Sequence, residues 1–245
     1  MELIAAGFAG LSGSRIILED ETRRRQLKER YAASFFARLA AKDDSVLRQE
    51  ERLFEFLYST AGAGASTFAS GNAAENDGDS RSGHSRRLYQ QETMAAQTAS
   101  DQKEACTAKK RASALPFYDI ECAGEGGVYA ALWRLLKRNR SGAAYSQRAI
   151  PIRQDVIELC EFFSLNPYRL YAAGCALILT DAPGRWLAAA EKAGIPAARF
   201  GYTEKTAAIR RTDCPETAFL RRPEPDALTA LGIAPPASPA CSAEQ

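Results

Sequence analysis

The sequence predicts an α+β fold, a mixed β-sheet with helices packed against it. Three observations carry that expectation. The chain opens on a short apolar run, "ELIAAG", and a second one, "CALILT", lies deep in its later half. An unbroken apolar run of that length is the mark of a strand buried on both faces. Between and after these runs stand amphipathic stretches of helical period, of which "IPIRQDVIELCEFFSL" is the strongest. Strands and helices therefore mix without the regular alternation of a doubly wound sheet.

The elements follow in chain order. "ELIAAG" reads as a strand, "GFAGLSG" as a glycine-bearing turn and "SRIILE" as a second strand. Asp20 caps a helix expected to run to about Ala41, with Leu27, Tyr31, Phe35 and Leu39 spaced four apart on its buried stripe. A further helix is expected from Val46 to Ser59, placing Leu47, Phe54, Leu57 and Tyr58 near one face. "ALPFYDIE" is an apolar run bounded by Pro116, and a helix from about Val128 to Arg138 comes after it. "GAAYSQ" is a weak strand. The helix after Pro151 turns Val156, Leu159, Cys160 and Phe163 inward. Asn166 caps a short helix with Pro167 in its first turn. "CALILT" is the central strand, and "APGRWLAAAEKAG" is a helix closed by Gly194. "IPAARFGYT" and "KTAAIRR" add two strands, and "EPDALTALG" forms a last short helix.

Residues 61–112 differ in character: small, polar, nearly charge-balanced and without period. Such a stretch does not repay the ordering of its backbone, about 1–2 kcal/mol per residue. It is expected to be a low-complexity disordered insertion. Residues 1–60 and 113–232 are expected to build a single domain around it, since closure entropy grows slowly with loop length. Residues 233–245 are expected to form a flexible tail. The only histidine, His84, lies in the insertion and reads as a solvated side chain.

Composition narrows the function classes. With 245 residues and 46% apolar content the chain supports one substantial core or two small ones. A formal net charge of +2 gives no vote for a nucleic-acid partner, and none is expected. No apolar run approaches the roughly 18 residues of a membrane span, so no membrane partner is expected. Six cysteines without a CxxC do not form a disulfide framework; most read as free buried thiols in a cytoplasmic protein.

The segment "CAGEGGVYAALWRLLKRNR" holds the candidate site. Gly124, Gly126 and Gly127 allow a tight turn, after which the amides of Gly126, Gly127 and Val128 stand at a helix start, the recipe for binding phosphate or carboxylate. The loop is neither a Walker A motif nor a dinucleotide fingerprint. A glycine turn that lets the helix pack closely on a strand accounts for it equally well. Glu125 within the loop opposes an anion unless it faces away or holds a metal. Asp119 and Glu121 share a face of their strand and together suit Mg²⁺. Cys122, just before the loop, reads as an inert buried thiol or, near a helix start, as an activated one. Arg134, Lys137, Arg138, Arg140, Arg148 and Arg153, with no acid among them, read as a solvated basic face.

"EGGVYAALWRLLKR" followed by "AIPIRQDVIELCEFFSLNPYRLYAAGCALILT" resembles the C-terminal domain of the AIR synthase superfamily. The similarity is greatest to the hydrogenase-maturation branch, which dehydrates a carbamoyl thioester. "GIPAARFGYTEK" and the N-terminal "AGFAGLSGSRIILEDETRRRQLKERYAASFF" extend the resemblance to both sides of the insertion. The resemblance implies an AIR-synthase C-terminal-domain-like fold, with the family's N-terminal ATP-binding domain missing. The family's D-V-T-E-G-G pattern then puts its Asp on Cys122 and its Thr on Gly124, or, with a short insertion, its Asp on Asp119. The loop residues Gly124, Glu125, Gly126, Gly127 and Val128, with Asp119, are the implied ligand-binding candidates. Metal ligands and catalytic residues are left unassigned, and Cys241 does not match the branch's modified terminal cysteine. The expected function is a stand-alone, non-catalytic domain that binds a nucleotide, a phosphorylated ligand or a protein. The alternatives are half of a split ATP-dependent enzyme and a ligand-free basic interaction module. ATP and Mg²⁺ enter only if a separate protein supplies the missing domain; that protein or a homo-oligomer is the expected partner.

Overall fold

A computed structural model describes residues 1–40, 43–61, 115–216 and 218–237, with the side chains of 37–40, 43–49 and 61 excluded. The expected insertion, apart from Ala61, and the end of the expected tail lie outside the described residues, as does His84.

Strand β1 (Glu2–Gly7) is followed by helices α1 (Leu11–Glu19), α2 (Glu21–Arg30), α3 (Ala33–Ala40) and α4 (Asp43–Ala61). Then come β2 (Asp119–Cys122), α5 (Gly127–Arg138), β3 (Gly142–Tyr145), α6 (Gln154–Phe162), β4 (Cys175–Thr180) and α7 (Pro183–Lys192). β5 (Ala197–Glu204), β6 (Ile209–Arg211) and β7 (Ala218–Phe219) complete the sheet, and short 3-10 turns span Gln147–Ala149, Pro167–Arg169 and Ala227–Leu231.

Among the described residues the strands form one mixed sheet in the order β2-β4-β1-β5-β3-β6-β7. Every neighbouring pair is antiparallel except β3 with β6. β1 lies between β4 and β5, so the segments on either side of residues 62–114 share one sheet. The two-residue side-chain period divides the core. Leu3, Ala5, Leu177 and Leu179 meet Val128, Leu132 and Leu135 of α5 on one face. Ile4, Ala6, Ala176 and Ile178 meet Leu53 and Leu57 of α4 and Trp186 of α7 on the other. Burying one such side chain stabilises the fold by about 1.5–3 kcal/mol. Trp186, 1% exposed, keeps its indole N–H satisfied by donating to the Pro116 carbonyl at 2.8 Å. A further cluster joins α1, α2, α3 and α6 around Ile17, Leu27, Phe35 and Leu159.

Three expected elements are corrected. "SRIILE" belongs to helix α1, which Gly10 enters in the left-handed region at φ 66°. A short apolar run carries no period of its own, and here Leu11, Ser14 and Ile17 supply a buried helical stripe. The helix after Asp20 ends at Arg30, because Tyr31 turns extended at ψ 142°. That break brings the Tyr31 hydroxyl to donate to the Glu158 carbonyl of α6 at 3.1 Å and stacks its ring on Phe35 at 4.3 Å. Among the described side chains of α4 the buried ones are Leu53, Phe56 and Leu57, while Tyr58 is exposed; Leu47 lies outside them. The Asp20 cap is as expected, accepting from the Arg23 amide at 3.0 Å.

Candidate functional site

The glycine loop joins β2 to α5. Gly126 and Gly127 both occupy the left-handed region, at φ 74° and 62°. A Cβ on Gly127 would stand 2.6 Å from the carbonyl oxygens of both Tyr168 and Leu170. Close packing on the turn at 166–170 thus accounts for the glycine. The Gly127 amide turns back to the Gly124 carbonyl at 3.0 Å, and the Val128 side chain is fully buried in the core.

The Gly126 amide donates to the Asp226 carboxylate at 2.7 Å. Asp226 is 1% exposed and also accepts from the Leu228 amide at 2.9 Å, capping the 3-10 turn Ala227–Leu231. Burial pushes its carboxyl above the usual carboxylate range, against the opposing pull of backbone amides at Leu228, Gly126 and Tyr171. An internal carboxylate therefore sits where the sequence had suggested an external anion. Beside it, a recess of about 190 Å³ is lined by Glu125, Gly126, Ala130, Arg134, Glu224, Pro225 and Asp226. Glu125 is exposed at its rim.

Asp119 and Glu121 do share a face, and α5 covers it with arginines. Arg138 binds Asp119 through Nε and Nη2, each at 2.8 Å, and Glu121 through Nη1 at 2.8 Å. Arg134 Nε reaches Glu121 at 2.6 Å, and Asn139 Nδ2 reaches Asp119 at 2.6 Å. Glu121 is 4% exposed. The carboxylates raise the already high proton affinity of Arg138, Asp119 most of all. The expected solvated basic face is therefore corrected at Arg134 and Arg138. It is corrected also at Arg153, which pairs with the buried Asp155. Lys137 lies over the Trp133 ring, 4.6 Å from its centroid.

Cys122 is 3% exposed and is packed on the sheet face away from α5. It is disulfide-bonded, which corrects the expected free thiol. Cys160 and Cys175 are free and buried, and burial pushes both thiols up to about 12.

Sequence reasoning brought Asp119, Gly124, Glu125, Gly126, Gly127 and Val128 to one region but left out Asp226. The P-D-A-L run marks Asp226 as a cap. Nothing local marks its bond to a loop one hundred residues earlier. The loop and the paired carboxylates, as placed, do not fit a nucleotide phosphate or Mg²⁺: the Gly126 donor and the carboxylate oxygens already have partners within the chain. Among the described residues no group of three or more His, Cys, Asp or Glu is arranged to hold a metal ion.

No family model and no curated protein matches the sequence. Solved structures do. The chain is similar to a crystal structure of Escherichia coli HypE, a hydrogenase maturation protein, with TM-score 0.53 and 16% identity over 92% of this chain and 50% of that one. A second E. coli HypE structure matches with TM-score 0.52 and 18% identity, over 94% of this chain and 52% of that one. The fold is of the AIR-synthase C-terminal-domain type. The chain spans about half the length of the HypE structures it matches. No helix among the described residues is long and apolar enough to cross a membrane.

Proposed function

We propose that the chain is a non-catalytic binding module of AIR-synthase C-terminal type whose ligand is a protein, with the glycine loop serving as a structural joint. The single observation that supports this reading is the Gly126–Asp226 hydrogen bond of 2.7 Å. A phosphate at the loop would have to displace a buried carboxylate and leave the Leu228 amide without its acceptor. The recess beside the loop also carries Glu125 and Glu224, whose charge opposes an anion. In this reading the module is a single domain built from residues 1–60 and 113–232.

The test is an amide-resolved titration of the whole chain with ATP and Mg²⁺. The expected result is no saturable shift at Gly126 or Gly127 and no turnover above background. A saturable shift at those two amides overturns the reading and restores Gly124, Glu125, Gly126, Gly127, Val128 and Asp119 as ligand residues.

A second reading is favoured by the match to only about half of HypE. In it the chain is one half of a split ATP-dependent enzyme, and a separate polypeptide brings ATP and Mg²⁺. Co-purification of that polypeptide, with nucleotide turnover only in the reconstituted pair, would support it.

A further inference from the structure

The two edges of the sheet differ. β2 and β7 are its outermost strands. At the β2 edge the Ile120 amide donates to the Asp119 carboxylate at 2.8 Å, and the Ile120 carbonyl accepts from Arg138 at 3.4 Å. Side chains of the chain itself thus occupy the backbone groups of Ile120, a common protection of an edge.

β7 lacks that protection at Phe219. Alternate residues of an antiparallel strand turn their backbone groups toward the neighbour. The Leu220 amide bonds the Ile209 carbonyl at 2.8 Å, and Phe219 takes the intervening position, opposite Arg210. The Phe219 N–H and C=O therefore point away from β6, and no described residue bonds them. The Phe219 side chain is 55% exposed. Register sets it in one cross-strand row with Arg210, Ala144 and Tyr202, the last 43% exposed.

Charge at this edge is one-sided once internal pairs are set aside. Arg210 is held by Glu204 and Arg211 by Asp213. Register brings the start of β3, the end of β5, the start of β6 and the end of β7 to one end of the sheet. Arg140, Lys205, Arg221 and Arg222 flank those strand ends. All four are exposed, and none has an ion-pair partner among the described residues. Glu216, also exposed, lies at the opposite end of β7.

We propose that β7 takes up an extended, acidic segment of a partner protein as an added strand. The outward N–H and C=O of Phe219 supply the backbone pairing, as in other strand additions. The segment's apolar side chains continue the row of Tyr202 and Phe219. Its carboxylates lie toward Arg221 and Arg222, away from Glu216, where the unpaired cations make the edge complementary to them. The proposal rests on the reading of the chain as a protein-binding module and supplies the surface and the partner's chemistry.

The test uses the full chain and two short labelled peptides of alternating valine and threonine, one with a glutamate-rich end and one with a lysine-rich end. Fluorescence anisotropy is expected to show saturable binding of the acidic peptide alone. Bound peptide is expected to slow hydrogen exchange at the Phe219 amide. Phe219→Pro removes the outward N–H and leaves the bonds to β6 in place, so it is expected to abolish binding. Phe219→Ala keeps that donor and is expected to weaken binding less. Arg221→Glu combined with Arg222→Glu is expected to weaken the acidic peptide about tenfold or more and to admit the lysine-rich one. Far-ultraviolet circular dichroism checks that each variant is folded. No saturation by the acidic peptide at about 1 mM overturns the proposal. So do equal binding of the two peptides, unchanged exchange at Phe219, and tighter binding of a uridine oligonucleotide than of the peptide. Absence of peptide binding with no ATP shift at Gly126 sinks the strand addition alone, whereas an ATP shift at Gly126 sinks the module reading.

Discussion

The Asp226 carboxylate receives the Gly126 amide at 2.7 Å and so ties the C-terminal 3-10 turn to the loop between β2 and α5. One carboxylate thereby satisfies backbone donors from two distant segments, in a site 1% exposed. Removing it strands those donors. Asp226→Ala is expected to lower stability by about 2–4 kcal/mol, since each buried unsatisfied donor costs about 1–3 kcal/mol. Urea denaturation measures the loss. A change within about 0.5 kcal/mol, the usual size for an unimportant surface site, would show that the bond does not hold the turn.

The same carboxylate has a distinctive pH signature. Burial raises its folded pKa above the unfolded value. Its contribution is therefore fully present below the unfolded value, near 4, and is lost as pH rises through the folded one. Asp226→Asn removes this titration. The stability of wild type relative to Asp226→Asn is expected to fall from about pH 4 upward and to level off once the folded carboxyl is ionised. Paired urea curves across that range check it; a difference that instead grows with pH contradicts the raised pKa.

Two glycines predict opposite signs. At Gly127 a methyl group meets two carbonyl oxygens at 2.6 Å and φ is +62°. Gly127→Ala is expected to cost about 2–4 kcal/mol through strain and displaced packing. Gly184, in α7, has nothing within 4 Å of an added Cβ. Gly184→Ala is expected to stabilise by about 0.4–1 kcal/mol by restricting the unfolded chain. Thermal unfolding of the pair reads both signs at once.

Arg138 binds two carboxylates, one of them 4% exposed. Arg138→Ala leaves Glu121 with Arg134 alone and removes both contacts to Asp119. The Arg138 side chain is 37% exposed. Solvent screening therefore reduces the expected loss to about 1–2 kcal/mol, below the 3–5 of a fully buried pair. Arg140→Ala, at an exposed position, is expected to change stability by less than about 0.5 kcal/mol. Denaturant midpoints that do not separate the two variants would remove the pairing from the account of α5.

Much of the chain was readable before folding. "CALILT" declares a strand covered on both faces, and β4 is buried at every position. The Asp20 and Asn166 caps and the Gly194 stop are local chemistry and stand where their residue types put them. The misreadings share a cause. "SRIILE" is apolar without alternation, so helix and strand are equally compatible with it, and the packing of Ile17 decides. The break at Tyr31 has no proline or glycine to announce it; it serves contacts to Phe35 and Glu158.

At the candidate site the division is sharper. Gly126 and Gly127 announce a tight turn into a helix, because only glycine takes positive φ without cost. Whether that turn holds a ligand or a neighbour is not a local property. The answer lies in Asp226, brought to the loop from one hundred residues away, and in the arginines of α5 that close on Asp119 and Glu121. Local conformational preference was written in residue type and spacing. The partners of each charge and donor were decided only when the sheet and helices assembled, because a hydrogen bond between distant segments leaves no periodicity in either of them.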